Sequence, residues 1–133
     1  MSESCTDLTQ FIRGEVDPGK FPHREHVRMG FEILRRHNFE QAALHYCGAL
    51  RAMTARIGKP MAFHQTITIA FLALIAERME TGEHSDFAAF AAANPDLIDK
   101  SALRRWYRPE RLATEAARRT FLLPDPYLTG DRP

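Results

Sequence analysis

The chain has 133 residues, of which 44% are apolar and 26% charged, with a formal net charge of +1. That length suits one domain able to bury a real core, and the balance of apolar and charged residues excludes a disordered chain. A net charge so close to zero argues against a general attraction to nucleic acid or to an anionic membrane surface.

A short helix is predicted over residues 7–13, with Leu8, Phe11 and Ile12 on one side and Gly14 as its stop. Residues 1–20 form an N-terminal lead-in that closes on the turn composition Glu15-Val16-Asp17-Pro18-Gly19-Lys20. An amphipathic helix follows over 24–37, where Val27, Gly30, Phe31 and Leu34 recur at helical spacing. Projected backward, that stripe takes in His23 and His26, while Arg28, Glu32, Arg35 and Arg36 supply the wet face. The next helix covers 39–57 on an unbroken apolar stripe through Tyr46, Cys47, Leu50 and Met53, and Gly58 and Pro60 separate it from its successor. A helix over 61–80 is apolar nearly all round between 67 and 76, which marks it as the central one. Ser85 is expected to cap another helix, faced by Phe87, Phe90 and Ala91 and ended by Asn94-Pro95. A further helix over 97–107, short helical pieces over 110–119 and an extended tail over 121–133 complete the chain.

Sustained strand alternation, hairpin dipeptides and internal repeats are all missing. The expected fold is an all-α, single-domain bundle of about five or six helices with an extended C-terminal tail. The most apolar window, residues 67–76, is too short to cross a bilayer. Residues 1–9 are polar and do not resemble a secretory leader. Cys5, in the N-terminal tail, and Cys47, on an apolar stripe, make no disulfide framework. Reduced thiols and a cytoplasmic location are the expectation.

Short links make consecutive helices antiparallel, so the helices that open at His23 and near His64 should start at the same end of the bundle. His64 shares a stripe with Thr68 and Phe71, which turns it inward like His23 and His26. Three inward imidazoles can bind a metal ion such as iron, copper or zinc, with an open position for water or substrate. They can serve as general acid or base. They can also cap helices and hydrogen-bond buried backbone. Two helix N-termini beside them suit an anionic ligand. His23, His26 and His64 are therefore the candidate catalytic residues and the candidate metal ligands, with Thr68, Phe71 and Tyr46 as candidate substrate contacts. The spacing places no carboxylate beside them. In the C-terminal third, Arg104, Arg105, Arg108, Arg111, Arg118 and Arg119 surround Trp106 and Tyr107. Such a cluster is either a phosphate surface or a solvated face paired with nearby acids, and the neutral net charge favours the second.

Four motifs carry a resemblance: Phe21-x-His23-x-x-His26-Val27, Phe63-His64-x-Thr66-x-Thr68, Tyr107-x-Pro109-Glu110-x-Leu112, and Phe121 with Leu123-Pro124-Asp125. Together they resemble a family of small all-helical bacterial proteins, mostly of unassigned function. The resemblance spans residues 8–126 and implies a shared site rather than a named reaction. Where that family shows Tyr-His-Glu-Thr, this chain has Phe63 and Gln65 in place of the Tyr and the Glu. The functional expectation is a small cytoplasmic helical enzyme. Its histidine-lined pocket at the bundle end acts on a small, partly apolar organic molecule, with or without a transition metal. The alternative is a non-catalytic module that binds a small ligand or a protein partner, or pairs as a homodimer through its helix faces.

Overall fold

The computed structural model describes residues 7–125, so Cys5 and the expected tail beyond Asp125 lie outside the described residues. Seven α-helices carry the described fold: α1 (Leu8–Ile12), α2 (His23–Arg36), α3 (Phe39–Arg56), α4 (Gln65–Glu80), α5 (Phe87–Ala93), α6 (Pro109–Leu112) and α7 (Glu115–Arg119). Tighter 3-10 turns occupy Pro18–Lys20, Pro60–Ala62, Pro95–Ile98 and Lys100–Arg105. No strand occurs among the described residues, and the expected all-α bundle is what forms. None of the described helices is long and apolar enough to cross a membrane.

Side chains set most helix starts. Asp7, Asn38, Asp86 and Thr114 each accept a first-turn backbone N–H of the helix that follows. Asp86 takes this role from Ser85 because its carboxylate receives Ala89 N–H at 2.9 Å. Two boundaries differ from the sequence expectation. The helix expected from 61 begins only at Gln65, because Pro60 opens a 3-10 turn, Phe63 is extended, and the His64 ring itself caps α4. The helix expected over 97–107 is instead a pair of 3-10 turns. Asp99 breaks it, since its carboxylate accepts both the backbone N–H and the hydroxyl of Ser101 and so competes with helical bonding.

Helices α2 and α4 form the partition of the molecule. On one side, Val27 and Phe31 of α2 join Phe71 and Ile75 of α4, Phe87 and Phe90 of α5, and Leu97, Leu103 and Tyr107. On the other, Met29 and Ile33 of α2 join Leu72 of α4, Tyr46 and Met53 of α3, and Phe11 and Phe21. Each large apolar side chain buried this way contributes about 1.5–3 kcal/mol. Gly30 lets the two helices approach closely: a β-carbon there would meet Ile75 Cδ1 at 3.0 Å and Leu72 Cδ1 at 3.3 Å. Gly14 is doubly constrained, with φ 71° and a position where a β-carbon would stand 2.4 Å from Ala52 Cβ of α3. It lets the chain leave α1 while pressed against α3.

The C-terminal third folds back over this partition and is held through polar atoms. Thr66, fully buried on α4, donates its hydroxyl to Thr120 O at 2.7 Å and accepts Leu122 N–H at 3.0 Å. Tyr107 Oη donates to Leu122 O, Arg111 donates to Leu123 O, and Asp125 N–H donates to Trp106 O. Within the described residues the expected tail is therefore extended chain strapped to α4. Replacing Thr66 by Val removes a partner from two chain groups at once. It should destabilise the protein by about 1–3 kcal/mol, read as a lower urea midpoint, while Thr66→Ser keeps the hydroxyl and loses less.

Candidate functional site

The starts of α2 and α4 meet at one cavity of about 480 Å3. All six residues expected at the site line it: His23, His26, His64, Tyr46, Thr68 and Phe71. Its remaining walls are mainly apolar, with Phe21, Leu50, Phe63 and Ile75 among them, and Lys100 stands at its rim. The cavity brings together residues from both histidine motifs because α2 and α4 run side by side in the same sense.

The three imidazoles are not equivalent. His64 is used on both ring nitrogens: Nδ1 accepts Ile67 N–H at 3.1 Å, and Nε2 donates to Leu112 O at 2.7 Å. It caps α4 and bolts the C-terminal segment to it. His23 Nε2 donates to Leu97 O at 2.9 Å, and its ring meets Phe71 edge-on with centroids 4.9 Å apart. The His26 ring makes no hydrogen bond to any described residue. Its ring lies against Phe21, with centroids 4.3 Å apart, and 6.3 Å from the ring of His23. Burial lowers the His23 pKa, and Lys100 reinforces the shift while the Leu97 carbonyl and Asp99 oppose it. Burial drives His26 further, to about 4, with His23 and Lys100 adding to the shift. His26 is therefore an uncharged imidazole near neutral pH, offering one N–H and one bare nitrogen to the cavity.

The polar groups around it are already occupied. Tyr46 Oη donates to the His26 carbonyl at 2.9 Å, holding the first turn of α2, and burial raises its pKa. Thr68 Oγ1 donates back to the His64 carbonyl at 2.6 Å. The second helix N-terminus expected to be open to an anion is closed by His64, while α2 has only Pro22 at its cap position and no side-chain bond there.

The set does not fit an ion held by all three histidines. His64 has no nitrogen to spare, His23 has one, and no three His, Cys, Asp or Glu side chains among the described residues are grouped to hold an ion. Nor does a carboxylate of the described residues line the cavity. Glu25 is gripped by Arg28, Glu32 pairs with Arg35 and Arg36, and Asp17 caps the turn at Gly19. Gln65 also lies off the cavity: its Oε1 accepts from Arg51 at 2.8 Å, and Arg51 stacks over Phe63. A carboxylate at position 65 would therefore face Arg51 of α3, not the imidazoles.

Lys100 is the cavity residue the sequence reading missed. It is separated from the histidine motifs by a long stretch of chain and arrives through the return of the C-terminal segment, so no local spacing marks it. Of the arginine cluster, Arg108 pairs with Asp125, Arg118 and Arg119 with Glu115, Arg111 holds Leu123 O, and Arg105 lies over Trp106. Three of the six thus pair with acids, while Arg104 and Arg105 make no ion pair among the described residues. Of the other histidines, His37 and His45 face each other with ring centroids 4.8 Å apart, and His84 meets Phe90 edge-on. Cys47 is half-buried, with its pKa raised by burial.

No protein-family model matches this chain, and neither does any curated protein or any solved structure.

Two outcomes follow from the division among the histidines. His64→Ala should cost about 2–3 kcal/mol of stability, because a helix cap and a long-range bond are lost together; chemical denaturation measures it. His26 sets an acid limit. The unfolded imidazole gains its proton near 6.5 and the folded one only near 4, so stability falls as pH drops through that window. The loss approaches the order of 3 kcal/mol. His26→Gln should flatten the decline of melting temperature between pH 6.5 and 4 and leave stability near pH 7.5 little changed.

Proposed function

We propose that the protein binds a small, partly apolar organic molecule in the cavity between α2 and α4, with His26 as the polar group that meets it. The observation that supports this most is the unengaged, uncharged imidazole of His26, set in an apolar wall where His23 and His64 are tied to backbone. A cavity of about 480 Å3 falls within the range of roughly 300–1,000 Å3 common for such ligands. Apolar walls supply affinity, and one donor and one acceptor supply orientation. The bound molecule is recognised by shape and by a single hydrogen-bonding group.

A second reading, catalysis, is favoured by the desolvation of the same ring. His26 stays in its base form throughout the neutral range, so its bare nitrogen is available to a substrate proton, though the burial that keeps it bare also weakens it as a base. In that reading His23 and Phe71 shape the wall, and His64 holds the cavity's frame without touching the reaction. Any turnover would then decline on acidification near pH 4, the value burial gives His26, rather than near 6.5.

The test uses 4-phenylbutan-1-ol as a neutral probe with an apolar body and one hydroxyl. Saturable binding should shift the His26 ring resonances in an NMR titration more than those of His37, His45 or His84. His26→Ala should weaken binding about five- to tenfold, the loss of one buried hydrogen bond. Binding that leaves the His26 resonances unmoved, or that is unaffected by the substitution, would overturn the proposal.

A further inference from the structure

We infer that the ligand of this cavity is an organic acid bound as its anion, with its apolar body between Phe71, Ile75 and Leu50 and its carboxylate at Lys100. The inference rests on the pocket reading above and adds the ligand's charge. Among the described residues no Asp or Glu lines the cavity, and Lys100 is the one lining residue that carries a full charge. Lys100 is exposed at the rim, and its ammonium makes no ion pair or hydrogen bond with another described residue. Its ammonium acts on the interior, since it is among the groups that disfavour the charged forms of His23 and His26.

Lys100 also lines the adjoining cavity of about 510 Å3, together with Ile67 from the shared wall and Arg104. The carboxylate would therefore sit where two cavities meet, beside a second cation. The neighbouring acid in the chain, Asp99, lines only the adjoining cavity and accepts two hydrogen bonds from Ser101. An ammonium ligand would meet Lys100 with no carboxylate lining its cavity to offset the repulsion, so like-charge exclusion sharpens the choice. His26 N–H can donate to the carboxylate, and the uncharged ring leaves the full positive charge to Lys100 at the rim.

The experiment compares 4-phenylbutanoate, 4-phenylbutan-1-ol and 4-phenylbutylammonium by calorimetry on the full chain at pH 7.5. The anion should bind tightest and the ammonium weakest. Lys100→Gln should weaken the anion roughly two- to fivefold, as expected for a partly exposed ion pair, and leave the alcohol unchanged. Lys100→Glu should reverse the order of anion and ammonium. Equal binding of anion and alcohol, or equal weakening of all three by Lys100→Gln, would overturn the charge inference and leave the pocket reading standing. Failure of all three to bind and to shift the His26 resonances would remove both.

Discussion

The close approach of α2 to α4 at Gly30 is the constraint on which the rest of the structure depends. With Ile75 and Leu72 of α4 in contact distance of that backbone, the two helices share a seam that is the boundary of both apolar clusters. A β-carbon at this position would press on the Cδ1 methyls of Ile75 and Leu72, which would have to give by a few tenths of an ångström at the boundary of both clusters. The same seam aligns the two helix starts, so that residues 23, 26 and 64 open on one space. The cavity is thus a product of helix packing: it opens where α2 and α4 begin, and the aromatic residues there, Phe21, Phe63 and Phe71, wall the space without filling it.

The histidines divide the work according to what the backbone leaves unsatisfied. A helix start leaves amide groups without partners. At α4 the first residue before the helix is His64, and its ring takes one such amide while reaching a carbonyl 48 residues away. His23 reaches Leu97 in the same way. Both rings act as cross-links between the helical pair and the returning C-terminal segment. His26, one turn into α2, has Phe21 against its face and no hydrogen-bond partner for its ring among the described residues, so burial rather than bonding governs its chemistry. Identical side chains at one site therefore have different chemistry, two structural and one available.

The return of the C-terminal third completes the site. Thr66 and Tyr107 pair with backbone groups of Thr120 and Leu122, and these bonds hold the segment that carries Leu112 against α4. The path from Pro95 to Lys100 lies over the start of α2, where the Leu97 carbonyl meets His23 and Lys100 reaches the rim. Asp99 contributes by breaking what would otherwise be one helix, which turns the chain there. A capping residue in mid-segment thus changes both the fold and the charge at the cavity mouth.

Much was legible in the sequence where the signal was local. Period-3.6 stripes defined α2, α3 and α4 to within a few residues, whereas the one cap named from the sequence, Ser85, gave way to its neighbour Asp86. Strict helical spacing also turned His23, His26 and His64 inward, and short links implied a common end for them. What the sequence could not contain was the partner of each ring. A histidine on an inward stripe reads the same whether it caps a helix, bonds a distant carbonyl or stands free. Those three outcomes are decided by residues 97 and 112, which arrive only when the chain folds back. Lys100 was invisible for the same reason. The helical periodicity is set within one turn by side-chain spacing, whereas the availability of a nitrogen depends on which distant backbone groups tertiary packing brings within hydrogen-bonding distance.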